Sequence, residues 1–233
     1  MAFQAVKAQT AENNINNLLA SMGVKTDKAV GWAIAALLHT HSHVVAGGLE
    51  SSVAIQELEF TLNQAVFSAL EHGGRADTEI KRLTSAVNIG KDLSSLGELA
   101  ANLGRKVTEV GKHHEHEDFS RLQPLAIAVS HLCRQTLRSL ARLDPVLARN
   151  AAAGGASVDA YRDYVLRGLS RPEPHVPESH LKESHVKDEQ DLHLIFASRC
   201  LEQIADNAIH LAENLVLFLE GQRERENTQS MVS

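Results

Sequence analysis

Along most of the chain, apolar residues return every three or four positions, which is the spacing of one face of an α-helix. Two glycines at 73–74 and a potential N-cap, Asp77, divide this pattern in the first half. Five prolines in 233 residues leave it otherwise almost uninterrupted. The first half is therefore predicted to form three helices, over about 14–40, 52–70 and 77–110.

The second half repeats this order of helices. The first helix is predicted over about 119–143, and Asp144-Pro145 then supplies a cap and a first-turn proline. Gly154-Gly155 marks a weak point, and Ser157 is predicted to cap the next helix, so this segment is kinked.

One long stretch, 170–190, is predicted to be irregular because it contains three closely spaced prolines. The last helix is predicted from about Asp191 to Glu220, with Gly221 as its stop and a frayed tail beyond it.

Two stretches suggest an internal repeat. LSSLGELAANLG, from Leu93 to Gly104, resembles LEQIADNAIHLA, from Leu201 to Ala212, and each lies in the last helix of its half. The predicted architecture is thus all-α, with two tandem three-helix bundles over 1–113 and 114–233, joined near His113–Asp118.

Glycines recur at every seventh position of the third helix, at Gly90, Gly97, Gly104 and Gly111. Each glycine within a helix costs about 1 kcal/mol relative to alanine. Their heptad spacing predicts that another helix passes very close along this seam. Ser198, Ala205 and Ala212 hold the equivalent places in the second half.

Composition narrows the class of protein. A hydrophobic fraction of 43% is ample for a core, and a net charge of −6 without a concentrated basic face argues against nucleic-acid binding. The longest apolar run, Ala29–Leu38, is about half of what a membrane span needs, so no membrane insertion is expected. The N-terminus lacks a signal-peptide pattern, and Cys133 and Cys200 form no CxxC, which favours a cytoplasmic protein with free thiols.

Two acids of the last helix, Glu202 and Asp206, are four positions apart and therefore share one helical face. Like charges at this spacing destabilise a helix slightly. They form either a solvated acidic face or a site for a hard cation, and the residues alone favour the solvated face.

The histidine-rich segments offer weaker metal chemistry. His39–His43, His113–Asp118 and His175–His185 could each bind zinc or nickel weakly, but solvated polar turns explain them as well. No histidine follows a glutamate by three positions, and HExxH, Walker and GxSxG motifs are absent from the sequence. No catalytic residues are therefore predicted.

The last helix carries the most specific likeness to a known family. LEQIADNAIHLAENLVLFLEGQ resembles the line LERIGDxAxNIAExV of the PhoU family, and KDLSSLGELAANLGRKV resembles its counterpart in that family's first repeat. ADTEIKRLTSAVNIG resembles the preceding segment, with Glu79-Ile80-Lys81 where the family has a DLR triplet. The resemblance covers nearly the whole chain in the same order.

This resemblance implies a cytoplasmic, non-enzymatic regulator of phosphate uptake and phosphate-starvation signalling. It implies partners, the phosphate ABC transporter and its sensor histidine kinase, as well as negative regulation and a homodimer. It also implies a divalent or iron-type metal ion at an ExxxD motif in each repeat.

The metal ligands implied by the resemblance are Glu202, Asp206 and Asp159 in the second repeat and Glu98 in the first. Ser94 replaces one acid of the first motif. Gln56 and Ser52 occupy the first-repeat places that match the acids of the kinked helix, although Glu57 is close to them in sequence. Because half of the first motif is lost, two alternatives stay open: a structural helical adaptor, or a metal-binding helical protein with no phosphate role.

Overall fold

A computed structural model describes the backbone of residues 2–38, 46–71, 76–113, 119–169 and 181–232. All of these segments are helical and none contains a strand, which confirms the all-α prediction. A 3-10 turn, Ser120–Leu122, precedes α4. The helices are α1 (Ala2–Leu38), α2 (Ala46–Glu71), α3 (Asp77–His113), α4 (Gln123–Arg142), α5 (Pro145–Ala152), α6 (Gly155–Leu169) and α7 (Leu181–Val232).

In the first half the three predicted helices are present, but two begin earlier than expected. Helix α1 starts at Ala2 and helix α2 at Ala46, both before the first residues of their predicted ranges. Asp77 is the first residue of α3 rather than its cap, and the carbonyl of Ala76 accepts the backbone N–H of Ile80 at 3.2 Å. As an acid in the first turn, Asp77 still complements the helix dipole.

The predicted break after α4 is confirmed. Leu143 ends the helix in the left-handed region at φ 50°, and the Asp144 side chain caps α5 by accepting the N–H groups of Val146 and Leu147 at 2.9 and 3.2 Å. Pro145 lies in the first turn of α5. Helix α6 begins at Gly155, so the prediction that Ser157 caps it is wrong.

Helix α7 is longer than predicted at both ends. It begins at Leu181 instead of Asp191, and it continues through Gly221 to Val232. Gly221 is buried against α3, where a Cβ would lie 3.1 Å from the Arg82 Cβ. The glycine therefore permits a close helix contact instead of ending the helix. Of the stretch predicted to be irregular, 170–180 lies outside the described residues.

Among the described helices, α3 and α7 make the most extensive contact. Asp92 of α3 bonds to Asn214 of α7, whereas Arg82, earlier in α3, lies by Phe218, later in α7, so the two helices are antiparallel. Helices α1 and α2 cover α3, and α4, α5 and α6 pack on α7. The predicted apolar stripes are fully buried here, including Leu93, Leu96, Ala100, Leu103, Leu201, Ile204, Ala208 and Leu211.

The predicted glycine seam is confirmed at three positions. A Cβ on Gly90 would lie 2.5 Å from Leu62, and one on Gly97 would lie 2.6 Å from Ile55, both on α2. A Cβ on Gly104 would enter the indole ring of Trp32 on α1. The surroundings of Gly111 lie outside the described residues.

The core is shared by the two halves, because buried residues of all the helices form one connected cluster. The division into 1–113 and 114–233 falls at the end of α3 and stays a prediction. Within the described segments, no helix combines the length and the apolar character that a membrane crossing requires.

Candidate functional site

The antiparallel contact of α3 and α7 places the two repeated lines side by side and leaves a polar cleft between them. The cleft has a volume of about 330 Å³. Its lining comes from both helices: Ser95, Glu98, Leu99 and Asn102 from α3, and Gln203 and Asn207 from α7. The first-repeat acid Glu98 thus faces second-repeat amides across the contact.

The cleft has a single carboxylate, that of Glu98, among amides and a hydroxyl. The Asn102 side-chain oxygen accepts a hydrogen bond from Arg105 at 2.9 Å, and the Asn207 amide donates to the Gln203 carbonyl at 2.8 Å. These partners orient the amides along the helices. Sequence reasoning missed Gln203 and Asn207, because only the antiparallel register shows that they face Glu98.

In the second half, carboxylates converge on one guanidinium. Arg162 Nη1 lies 3.0 Å from Glu202 Oε1 on α7 and 3.0 Å from Asp159 Oδ1 on its own helix, α6. Arg162 Nη2 lies 2.9 Å from Asp163 Oδ1. The structure therefore brings together the predicted ligands Glu202 and Asp159, with Arg162 between them.

This cluster lies at the edge of the protein. The Arg162 side chain is 26% exposed and that of Glu202 33%, whereas Asp159 and Asp163 extend further into solvent. Hydrogen bonds to Asp163 and then Glu202 raise the pKa of Arg162 above its ordinary value. The guanidinium is consequently a permanent positive charge within this group of acids.

The other predicted ligands lie apart from the cluster. Asp206 is exposed on α7, and Glu98 is exposed in the cleft on α3. Among the described residues, no group of three or more histidine, cysteine, aspartate and glutamate side chains is arranged to hold a metal ion. In this arrangement the predicted residues do not form a ligand set, and the divalent or iron-type ion stays a prediction. The three histidine-rich segments lie outside the described side chains.

The segment that resembles the DLR triplet has a packing role. Arg82, whose side chain is 1% exposed, donates from Nη2 to Glu79 Oε1 at 3.1 Å. Its guanidinium lies 5.5 Å from the centroid of the Phe218 ring on α7. The contact of the ion-paired Arg82 with the Phe218 ring stabilises the packing of the start of α3 against the later part of α7.

A second polar contact links the same helices nearer the cleft. Asn214 Nδ2 donates to Asp92 Oδ2 at 2.8 Å. Burial raises the pKa of Asp92, and the hydrogen bond from Asn214 opposes this effect only in part. The ionised form of Asp92 is thus less favourable in the folded protein than in water.

Comparison with known proteins adds to this geometry. No family model matches the chain. A phosphate-specific transport system accessory protein PhoU homolog from Zymomonas mobilis is 22% identical over 212 residues, which covers 91% of this chain and 86% of the relative. The homolog from Pseudomonas aeruginosa is also 22% identical over 212 residues, covering 89% and 83% of the two chains.

Solved structures show the same fold. The crystal structure of PhoU from Pseudomonas aeruginosa superposes with a TM-score of 0.79 at 21% identity, covering 91% of this chain and 99% of the other. The phosphate transport system regulatory protein PhoU from Streptococcus pneumoniae superposes with a TM-score of 0.71 at 15% identity. In sequence and in fold, the chain is similar to PhoU proteins over 91% of its length, which confirms the resemblance to the PhoU family found in its motifs.

Proposed function

We propose that this protein is an accessory regulator of phosphate transport. In this role it docks to the phosphate ABC transporter and to its sensor histidine kinase in the cytoplasm, as a homodimer, and restrains phosphate uptake and phosphate-starvation signalling. One observation carries the proposal: the similarity in sequence and fold covers most of this chain and most of the length of relatives that are named for this role. A shared single motif would support it far less.

The chemistry of the described residues supports docking over turnover of a substrate. The two cysteines are poor nucleophiles, since burial raises the pKa of Cys133 to about 12 and that of Cys200 above its ordinary value. Among the described residues, the acids Glu202, Asp159 and Asp163 are each paired with the Arg162 guanidinium. A non-enzymatic role accounts for both features.

Direct binding tests this proposal. The purified protein should bind the ATPase subunit of the phosphate transporter and the cytoplasmic part of the sensor kinase from the same organism, as measured by biolayer interferometry. The ATPase subunit of an unrelated ABC importer is the control. If neither phosphate-system protein binds while the chain is folded, the role as a phosphate regulator is wrong and a structural helical adaptor is favoured.

A further inference from the structure

Helix α2 has an apolar stripe on its outer surface. Val53, Phe60 and Phe67 are seven residues apart, and their exposed fractions are 54%, 67% and 60%. Residues at this spacing lie in one line along a helix. At a rise of about 1.5 Å per residue, the line is about 21 Å long. Two of the six phenylalanines of the protein thus lie in solvent on one helix face.

The fold already uses the opposite face of α2. Ile55, Leu62 and Val66 are between 0% and 1% exposed and pack towards α1 and α3. Ile55 and Leu62 also fill the space that Gly97 and Gly90 leave on α3. The inner face therefore accounts for the position of α2 in the bundle, and the outer stripe is not required for it.

The charges of α2 are all of one sign. The helix carries four glutamates, Glu50, Glu57, Glu59 and Glu71, and no lysine, arginine or histidine. At 100° per residue, Glu57 lies about 60° and Glu71 about 20° from the line through Phe60, both on the same side, so they border one edge and the C-terminal end of the stripe. Both are exposed.

We propose that this outer face, formed by Val53, Phe60 and Phe67 with Glu57 and Glu71 beside them, binds a basic amphipathic helix of a partner protein. The occupant has apolar residues at heptad spacing that cover the stripe and lysine or arginine residues that meet the glutamates. This inference rests on the proposed docking role and names the surface that performs it. Helix-in-groove and helix-on-helix recognition use apolar anchors at this spacing.

Charge argues against the other occupants of an exposed helix face. Nucleic acids and anionic lipid surfaces carry the same sign as α2. A second copy of this chain seated on the stripe would bring Glu57 and Glu71 towards the same glutamates of its partner, and like charges across an interface oppose association. A basic helix is the partner that satisfies both the apolar stripe and its flanks.

A designed peptide tests the surface directly. The probe is a fluorescent helical peptide of three heptads. Each heptad has leucine at its two apolar positions and lysine at the positions beside them. The control peptide has glutamate in place of each lysine. Fluorescence anisotropy should show that the lysine peptide binds at least about tenfold more tightly than the glutamate peptide, with affinity that falls as salt is added.

Variants locate the binding. Phe60→Ser with Phe67→Ser, and separately Glu57→Lys with Glu71→Lys, should each weaken the lysine peptide by at least about tenfold. The matched controls are Leu217→Ser, an exposed apolar residue of α7, and Glu109→Lys with Glu213→Lys, exposed acids of α3 and α7. These should change the affinity less than about twofold. Circular dichroism checks folding, and Phe60→Gln alone replaces the double variant if that variant unfolds.

Three results would overturn the proposal: equal binding of the two peptides, equal effects of the α2 variants and their controls, or dissociation of an oligomer by the phenylalanine variant, which would make the stripe a contact between copies.

Binding of the same variants to the transporter subunit and to the kinase separates the claim about this surface from the claim about the regulatory role. If the wild-type chain binds these proteins and the α2 variants bind them equally well, the proposed surface is wrong and the regulatory role is kept. Peptide binding at α2 without binding to either protein keeps the surface and rejects the phosphate role.

Discussion

Arg162 on α6 donates a hydrogen bond from Nη1 to Oε1 of Glu202 on α7 at 3.0 Å. The contact joins two helices that are separated in sequence by the stretch 170–180. The same guanidinium contacts Asp159 and Asp163, so one arginine pairs with three acids and offsets only part of their negative charge. In this chain the first acid of the second-repeat motif is therefore held by a side chain of the protein itself.

Replacing this arginine should weaken the α6–α7 contact. Arg162→Gln is expected to lower the free energy of unfolding by about 1 kcal/mol, a modest value because the pairs are partly solvated. Urea denaturation measures the change. In a double-mutant cycle with Glu202→Gln, the coupling should be about 0.5 kcal/mol. Arg149→Gln, which removes a more exposed pair with Glu220, is the control and should cost less.

The same arginine should govern cation binding at this motif. If the predicted divalent ion binds through Glu202 and Asp206, Arg162 competes with it for Glu202, so Arg162→Gln should bind the ion more tightly and Glu202→Gln with Asp206→Asn should abolish binding. Calorimetry with manganese measures both. Binding that survives the double variant and disappears when His113, His114 and His116 are replaced would move the metal site to the histidine segment.

Close packing at the glycine seam should make it intolerant of a methyl group. Gly104→Ala places a Cβ in the ring of Trp32 and is expected to lower the free energy of unfolding by about 2 kcal/mol. Gly31→Ala is the matched control, because nothing lies within 4 Å of a Cβ there. It should raise stability by up to about 1 kcal/mol through helix propensity. Equal effects of the two substitutions in thermal denaturation would contradict the close approach of α1 and α3.

The half-buried position of Asp92 predicts a pH dependence of stability. Because the pKa of Asp92 is raised in the folded protein, the folded state binds its proton more tightly than the unfolded state does, and stability from this group falls as pH rises from about 3.9 through the raised pKa. Asp92→Asn should therefore stabilise the protein at pH 7, by no more than about 1 kcal/mol. The gain should shrink as pH falls through the raised pKa of Asp92 and should be lost below about 3.9.

Two outcomes would count against this explanation. One is a loss of stability in Asp92→Asn at pH 7, since the asparagine oxygen can still accept the Asn214 hydrogen bond. The other is a gain that does not change with pH. Asp77→Asn is a suitable comparison, because Asp77 is exposed in the first turn of α3.

The features of the fold that depend on local periodicity could be predicted from the sequence. The helices, the Asp144-Pro145 break and the glycine seam all follow from spacing and cap chemistry within one segment. The sequence predicts a helix stop at Gly221, because a glycine near the end of an apolar pattern usually ends a helix. Its contact with Arg82 comes from the antiparallel pairing of α3 and α7, which no local pattern shows.

The candidate site was predicted in part for the same reason. Glu202 and Asp159 each contact Arg162, and the position of Arg162 between them depends on how α6 turns against α7. The spacing of Asp159 and Arg162, three residues apart, was the available signal. The heptad spacing of Val53, Phe60 and Phe67 is visible in the sequence, but only the fold shows that this line faces solvent while Ile55, Leu62 and Val66 face inward.

The most direct test of the regulatory account is a phosphate-starvation reporter in a strain that lacks this protein, grown in phosphate-rich medium. The account predicts that the reporter is switched on by the deletion and switched off again when the wild-type chain is restored. A reporter that stays silent in the deletion strain, while it still responds normally to phosphate limitation, would contradict the account.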